Sequence, residues 1–356
     1  MKKALKIFAI VLALILLVVG IYVAYVLISY ERIEDNVKLS IDNGTAEVMS
    51  LDTAYTMTTY NIGFGAYSPD FTFFMDGGTE SRAKSKESCT NLVNGAADTI
   101  AALNADIMLF QEVDLHATRS YHIDQYKMLR DKFPKVDSVK AINYDSAYLF
   151  YPLTKPHGKS LASIVTMSTF KIVDSVRRSL PISTSLSKLV DLDRCYSVSQ
   201  IKTQGDKNLF VYNIHMSAYG GDPEIRGAQV KMLFDDMSEK IQQGNYVICG
   251  GDFNHDLLGN SAEILNGKDK AEFGWAKPFP VELMPKDITM CVDYADKELV
   301  PTARNCDIAY IKGETFVIVI DGFFVSPGVE VVKVQNVQTE FEFSDHNPVM
   351  LQFKLK

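Results

Sequence analysis

The chain has 356 residues, five cysteines and a formal net charge of −8. This length suits one large domain preceded by a short extra segment. The charge excludes a broad basic surface for nucleic acid, but not a local phosphate site in which a metal ion supplies the positive charge. The cysteines have no CxxC spacing, which argues against a disulfide scaffold and against a zinc site.

The N-terminus contains an apolar run that is long enough to cross a bilayer. Residues 7–28 carry no charge, and a helix of this length spans roughly the 30 Å hydrocarbon core. A cleaved signal peptide is the alternative, but its apolar region is normally only about 7–15 residues long. We therefore expect residues 1–30 to be a retained anchor with one transmembrane helix.

The charges on either side of this run predict its orientation. Three lysines precede it, whereas acidic residues predominate in the segment that follows. Because basic flanks stay on the cytoplasmic side, we expect a cytoplasmic N-terminus and an extracytoplasmic location for everything after Tyr30. The polar residues 31–50 predict a stalk, and residues 51–356 are left as one large domain, which we expect to be monomeric.

Apolar strands in this domain repeatedly end in polar side chains. The first predicted strand, 54–61, ends at Asn61, and a buried strand over 106–110 is followed by Glu112. One such residue is ordinary, but six separate positions predict one convergent polar site above a layered sheet. The positions carry Asn61, Glu112, His215, Asp252 with Asn254, Asp321, and Asp345 with His346.

A long segment, 64–89, separates the first predicted strand from a helix predicted over 91–103. It is longer than most loops, and it contains three aromatic residues that look exposed, Phe71, Phe73 and Phe74. We expect an ordered surface insertion. A lid or a membrane-contacting flap is the alternative.

The stretch 245–256, NYVICGGDFNHD, is the most informative part of the sequence. Its apolar start predicts a buried strand, and Gly250 and Gly251 predict a tight turn that closes the strand. Asp252 and Asn254 lie two residues apart, so on an extended chain their side chains point to the same face. They could hold a water or a phosphate oxygen, and an Asx-rich turn without a function is the alternative.

The residue types at the strand ends indicate which metal the site would prefer. They are carboxylates, amides and imidazoles, without cysteine. This set favours Mg²⁺, with Mn²⁺ as an alternative, over Zn²⁺. A hard cation held by few carboxylates, with waters and a substrate phosphate completing its shell, suits phosphoryl chemistry.

Six motifs occur in register along the chain: YNIG, QEVD, NIHMS, GGDFN, IDGFFVS and SDHNPV. With them the chain resembles the endonuclease/exonuclease/phosphatase superfamily, the deoxyribonuclease-I-like metal-dependent phosphoesterases. The resemblance extends from about Tyr55 to the C-terminus. It implies an α/β fold, a four-layer α/β/β/α sandwich with the site at one edge of two packed sheets, preceded here by the transmembrane helix.

The resemblance also implies a set of metal-binding residues. Glu112 would be the principal ligand of the metal ion, and Asn61 and Asp345 would lie close to it.

Five further residues would act on the substrate, as the resemblance implies. Asp252 would orient or deprotonate the attacking water, and Asn254 would hold a phosphate oxygen. His346 would contact the scissile phosphate, while Asp321 would fix its tautomer and charge. His215 would be a second imidazole at the phosphate or the leaving group.

We therefore expect a membrane-anchored, extracytoplasmic phosphoesterase that cleaves a phosphodiester or phosphomonoester by in-line attack of water. Its substrate could be a phospholipid headgroup, a nucleic acid or a sugar phosphate. The alternatives are a catalytically silent ligand-binding module of the same fold and a secreted-type nuclease acting on DNA or RNA. Four arginines are candidate phosphate contacts: Arg178, Arg194, Arg226 and Arg304. The other histidines are expected to be structural or exposed: His116, His122, His157 and His255.

Overall fold

The computed structural model describes residues 2–42, 44–189, 192–218, 223–267, 277–294 and 299–356. The α-helices in these ranges are α1 (Lys2–Ser29), α2 (Lys86–Ala102), α3 (Gln125–Lys132), α4 (Pro223–Gln242) and α5 (Ser261–Asn266). Side-chain caps fix two of the helix starts. Ser85 accepts a hydrogen bond from the Ser88 N–H at the start of α2, and Asp124 accepts one from the Lys127 N–H at the start of α3.

The described residues contain fifteen strands. In chain order they are β1 (Val37–Lys38), β2 (Tyr55–Asn61), β3 (Ile107–Asp114), β4 (Asp137–Asp145), β5 (Leu161–Ser168), β6 (Ile172–Ser179), β7 (Cys195–Lys202), β8 (Asn208–His215), β9 (Tyr246–Asp252), β10 (Thr289–Cys291), β11 (Ala303–Arg304), β12 (Val317–Ile318), β13 (Asp321–Val325), β14 (Val329–Asn336) and β15 (Val349–Leu355). One sheet has the order β1-β6-β7-β8-β9-β13-β10, and the other has the order β14-β15-β2-β3-β5-β4. β11 and β12 pair separately.

The two large sheets pack face to face, and helices cover their outer faces. Leu109 of one sheet and Ile248 and Phe323 of the other belong to the same buried cluster between the sheets. Helix α4 packs on the outer face of the seven-stranded sheet, and α2 and α3 pack on the outer face of the six-stranded sheet. The predicted four-layer α/β/β/α sandwich is therefore confirmed.

Strand β9 shows how the sequence produces these layers. Successive side chains of a strand point to opposite faces. Tyr246 and Ile248 accordingly pack in the core between the sheets, whereas Val247 and Cys249 pack toward α4. Because both faces are buried, the strand is apolar throughout rather than alternating.

Helix α1 is apolar around its whole circumference, and nearly all of its side chains are exposed. By length and composition it is able to cross a membrane. One face differs. Val26 is buried and Tyr22 is half-buried, and these two residues are one turn apart on the side that meets the domain.

Residues 31–50 differ from the predicted stalk. Arg32 forms an ion pair with Asp193 at 2.6 Å, and β1 pairs with β6 at the edge of the seven-stranded sheet. Met49 is fully buried in the core between the sheets. Ile41 packs against the core between the sheets and Leu39 packs against a smaller buried cluster, whereas Val48 is exposed.

The segment 64–89 is an ordered insertion, as expected, but the predicted exposure of its aromatic residues is wrong. Phe71 and Phe73 are buried and Phe74 is half-buried. Phe71 packs on Tyr67 with a ring separation of 4.8 Å, and Phe73 joins the same aromatic cluster. The aromatic residues of this segment therefore form a small core of their own.

Candidate active site

Three of the predicted site residues lie side by side in the seven-stranded sheet. In the register of the strands, His215 of β8 faces Asp252 of β9, and Asp252 faces Asp321 of β13. The three side chains therefore lie in one row across the end of the sheet, and all three are buried.

Strand β9 reaches Asp252 because no turn interrupts it at the two glycines, so the predicted turn is wrong. A Cβ atom at Gly251 would lie 2.1 Å from the carbonyl oxygen of Ile214, and the residue has φ +152°. A Cβ at Gly250 would lie 2.5 Å from the Phe323 ring. The glycines therefore serve the close approach of neighbouring chains rather than a change of direction.

The six-stranded sheet contributes Asn61 and Glu112. A β-bulge interrupts β3 between Phe110 and Val113, and Glu112 within it adopts φ +54°. Bulges re-aim side chains, and such positive φ values are uncommon outside glycine. The Asn61 amide Nδ2 lies 3.4 Å from Glu112 Oε1 and 3.1 Å from Asp252 Oδ2, and its hydrogen bonds connect the two sheets.

His346 and Asp321 form a buried pair, with 2.8 Å between Nδ1 and Oδ2. Burial alone would lower the pKa of His346, but the charge and hydrogen bond of Asp321 raise it well above the usual value. Asp321 therefore favours the imidazolium form of His346, whose Nε2 lies 3.8 Å from Asp252 Oδ2. Burial, and then the charge of Asp321, raise the pKa of Asp252.

His215 is the second imidazole of the site. Its Nε2 lies 3.4 Å from Asp252 Oδ2 and 4.0 Å from Glu112 Oε1. Burial lowers the pKa of His215 well below its usual value, so the ring is neutral. Among the described residues, its Nδ1 has no hydrogen-bond partner although it is buried.

Asn254 and Asp345 complete the predicted set. The backbone N–H of Asn254 donates to Asp252 Oδ1 at 2.9 Å, and its side-chain Nδ2 donates to the Met216 carbonyl at 2.9 Å. Asp345 Oδ1 accepts a hydrogen bond from Ser344 Oγ at 3.2 Å. It lies so close to Gly63 that a Cβ there would approach it to 2.8 Å.

All eight predicted residues thus lie around one cavity of about 650 Å³. Asn61 and Asp321 lie directly behind its wall, in contact with Asp252 and His346. The residues that line the cavity are Glu112, His215, Asp252, Asn254, Asp345 and His346.

Comparison with known proteins identifies the family. Residues 58–346 match the model of the Endonuclease/Exonuclease/phosphatase family. The chain belongs to this family. A comparison with curated protein sequences finds no match.

Solved structures support the fold of this endonuclease/exonuclease/phosphatase chain. A family protein from Bacteroides vulgatus is 18% identical with a TM-score of 0.55, over 86% of this chain and 100% of that one. ANGEL2, a 2′,3′-cyclic phosphatase, is 14% identical with a TM-score of 0.56, over 90% and 99% of the two chains. The human Nocturnin catalytic domain is also 14% identical, with a TM-score of 0.55, over 89% and 97%.

Arginines supply positive charge to the cavity of this family member. Three of the four candidate arginines, Arg194, Arg226 and Arg304, line it. Arg178 does not, because it pairs with Asp35 and Asp236 away from the cavity.

Arg119 also lines the cavity, and sequence reasoning missed it. It binds both oxygens of Asp114, at 2.9 and 3.1 Å, and lies 3.9 Å above the Phe64 ring. Burial raises the pKa of Glu112, and the Arg119 charge opposes that shift. A signal was present in the sequence, since Asp114 ends the same strand as Glu112 and needs a partner where it is buried.

A buried polar bridge below the cavity was also missed. The Gln111 side chain donates to Asn213 Oδ1 at 2.7 Å, which links the six-stranded sheet to the seven-stranded sheet. Gln111 directly precedes Glu112 in β3, and Asn213 lies two residues before His215 in β8. Satisfied buried polar contacts of this kind fix the relative position of the two sheets.

The donor set fits a hard divalent cation. Asp252, Asp321 and His346 bring one ligand atom each within 4.8 Å of one another, but Asp321 and His346 already bind each other. Glu112 has only longer contacts, with Asn61 at 3.4 Å and His215 at 4.0 Å among the described residues, and the charge of Arg119 acts on it. Asn61 directs its N–H group toward the carboxylates while its oxygen accepts the Gly63 N–H, so ligation by that oxygen would require a turned amide.

Proposed function

We propose that this protein is a membrane-anchored, Mg²⁺-dependent phosphoester hydrolase with an extracytoplasmic catalytic domain. The observation that supports this proposal best is the convergence of carboxylates, imidazoles and arginines on one cavity in a member of a phosphoesterase family. A catalytically silent module would be expected to lack Glu112, Asp252 or His346. All three are present and lie at the cavity.

Glu112 is the proposed principal ligand of the ion, with Asn61 and Asp345 beside it and Mn²⁺ as an alternative metal. A bound Mg²⁺ supplies charge stabilisation to the phosphoryl oxygens. The bulge at Glu112 holds its carboxylate toward the other sheet, and Ser344 holds Asp345 by its hydrogen bond. Burial makes the charged form of Glu112 costly, and a cation relieves that cost.

Asp252 is the proposed base that orients the attacking water and takes its proton. Its raised pKa brings it closer to the working pH, where a general base is most effective. Asn61 and the Asn254 N–H fix the carboxylate from two sides. In-line attack requires such a fixed base, because the water must approach phosphorus opposite the leaving group.

His346 is the proposed donor to a phosphate oxygen. Asp321 binds its Nδ1, so the protonated Nε2 is the atom left to face the substrate. Asp321 is thus a positioning residue. Neutral His215, Asn254 and the cavity arginines are proposed to contact the remaining phosphate oxygens or the leaving group.

A panel of phosphate esters tests this function. The full chain would be assayed with Mg²⁺ and with EDTA on plasmid DNA, RNA, sphingomyelin and soluble inositol phosphates. We expect hydrolysis of at least one substrate, loss of it in EDTA and recovery with Mg²⁺. Full turnover in the chelator, or no turnover of any member with Mg²⁺, would contradict the proposal.

Protease treatment of intact cells tests the proposed topology. Lys2, Lys3 and Lys6 precede the apolar run and should lie inside, so external protease should remove the domain that follows. Protection of the domain until lysis would mean that the orientation is reversed or that the location is cytoplasmic.

A further inference from the structure

The cavity has an aromatic border that includes the N-terminal helix. Besides the polar residues, Tyr22, Phe74, Phe150 and Tyr151 line it, and we call these four residues the aromatic rim. The Tyr22 and Phe150 rings are 5.2 Å apart, and the Phe74 and Tyr151 rings are 5.7 Å apart. The rim therefore connects α1 directly with the wall of the cavity.

Hydrogen bonds hold the segment 148–153 against α1. The Tyr22 hydroxyl donates to the Tyr148 carbonyl at 3.1 Å and accepts from the Phe150 N–H at 3.4 Å. The Tyr25 hydroxyl accepts from the Tyr148 N–H at 3.1 Å. Backbone groups of the segment thus pair with side chains of a helix that the proposed function places in the membrane.

The position of Tyr22 along α1 sets the depth of this contact. Tyr22 precedes Ser29, where the helix ends, by seven residues, which correspond to about 10 Å along the helix axis. In a helix whose apolar residues 7–28 cross the hydrocarbon core, this level lies among the acyl chains of the outer leaflet. The segment 148–153, which contacts Tyr22, would therefore lie at the outer leaflet rather than above it.

The segment 148–153 also exposes a larger apolar surface than is usual for a loop that faces water. Phe150 is 51% exposed, Tyr151 68% and Leu153 83%. Exposed apolar residues that are contiguous, rather than scattered singly, mark an interaction surface. Because this apolar surface adjoins α1, a bilayer is the partner that it favours.

The connection between α1 and the domain is too short and too well bound to let the domain stand away from the membrane. Three residues after Ser29, Arg32 pairs with Asp193 and donates to the Leu180 carbonyl. Asp35 then accepts from Arg178. The domain is therefore held with the aromatic rim on the side of the helix.

We propose that the cavity opens onto the outer leaflet and that the substrate is the phosphate ester of a membrane lipid, taken from the bilayer through the aromatic rim. The chemistry of this step and the placement of α1 in a membrane rest on the proposed function, whereas the side of the domain that meets the membrane rests on the geometry of the rim. A cavity of about 650 Å³ accommodates a headgroup and the first part of an acyl or prenyl chain. The polar residues would meet the phosphate, and the rim would meet the chain.

Spin labelling tests the membrane contact without using activity. All five native cysteines are buried, so a Leu153→Cys variant of the full chain can be labelled selectively. It would be reconstituted in phosphatidylcholine/phosphatidylglycerol vesicles. The matched control is Val332→Cys on β14, which is also exposed and does not line the cavity. We expect the label at 153 to be accessible to oxygen and shielded from an aqueous nickel chelate, and the label at 332 to show the reverse. Equal access of the chelate to both labels would overturn the contact.

Hydrolysis tests the lipid assignment. Vesicles of phosphatidylcholine and of phosphatidic acid separate a diester from a monoester source, and bis(4-nitrophenyl) phosphate serves as the soluble ester. Leu153→Asp should lower lipid turnover relative to soluble turnover by at least about tenfold, as expected when one apolar side chain is removed from its contact with the bilayer. Val332→Asp should leave the ratio unchanged.

The possible failures are distinguishable. An unchanged ratio in Leu153→Asp would overturn the supply of substrate from the bilayer. No hydrolysis of any ester by the wild type would overturn the proposed function and the lipid assignment together. The membrane contact would in that case still be decided by the spin labels.

Discussion

Replacing Asp252 by Asn should remove the base and keep the shape of the site. The side chain is buried, and its oxygens contact Asn61 at 3.1 Å and the Asn254 N–H at 2.9 Å. An amide still accepts one of these hydrogen bonds, so we expect a folded protein. A lost general base typically costs a factor of about 10²–10⁴, which corresponds to about 3–5 kcal/mol in the barrier.

Steady-state kinetics with Mg²⁺, on a substrate that the wild type cleaves, would measure this loss, with circular dichroism to establish folding. The matched control is Asp256→Asn. Asp256 is also buried, four residues further along the chain after β9, but it binds backbone N–H groups of Leu258 and Ser261 and does not line the cavity. We expect the control to lose stability but to turn over within a few-fold of the wild type when folded.

Replacing His346, the imidazole beside Asp252, tests the same reasoning a second time. His346→Ala should cost a factor comparable to Asp252→Asn, because the group that stabilises charge is lost. The double variant should be barely slower than either single variant, since residues that act as one unit are non-additive. Near-wild-type turnover by folded Asp252→Asn, or fully additive losses, would refute the reasoning.

Three further predictions concern the metal, the glycines and a buried histidine. Glu112→Gln should weaken Mn²⁺ binding by at least about tenfold. Calorimetry and the electron paramagnetic resonance signal of Mn²⁺ would measure the affinity, and an unchanged affinity would show that Glu112 is not a metal ligand. Gly251→Ala should lower the melting temperature far more than Gly259→Ala, because a Cβ meets the Ile214 carbonyl at the first position and open space at the second; equal losses would contradict the close packing. Burial lowers the pKa of His157 to about 3, so the folded state holds the imidazole in its neutral form. The contribution of His157 to the stability of the fold is therefore complete above pH 6.5 and is lost as the pH falls toward 3. Urea unfolding of His157→Gln should accordingly show a weaker loss of stability between pH 6 and 4 than the wild type, and parallel curves would show that His157 does not contribute.

The gathering of the site residues was predictable because they lie at or next to the ends of apolar strands. Asn61 and His215 are the last residues of β2 and β8, Glu112 lies near the end of β3, and two packed sheets bring these ends to one edge. What the sequence did not indicate was the register. The row formed by His215, Asp252 and Asp321 depends on β9 continuing through two glycines, and glycine pairs more often mark turns.

Other differences arose where burial depends on distant partners. Arg178 and Arg194 look alike in sequence, but the first pairs with Asp236 outside the cavity and the second lines it. The aromatic residues of 64–89 seemed exposed because their partners lie within the same irregular segment. Residues 31–50 seemed to be a stalk because they contain many polar residues, and the core residues that bury Met49 are mostly distant in sequence.

Hydrolysis in H₂¹⁸O tests the central claim most directly, namely that this cavity directs water to phosphorus with the help of a divalent cation. Products from a phosphodiester would be examined by ³¹P nuclear magnetic resonance and mass spectrometry. The account predicts one ¹⁸O atom in the phosphoryl product per turnover with Mg²⁺, no turnover in EDTA, and turnover lowered by a factor of about 10²–10⁴ with Asp252→Asn. Appearance of the ¹⁸O in the alcohol product, or turnover that persists in the chelator, would contradict it.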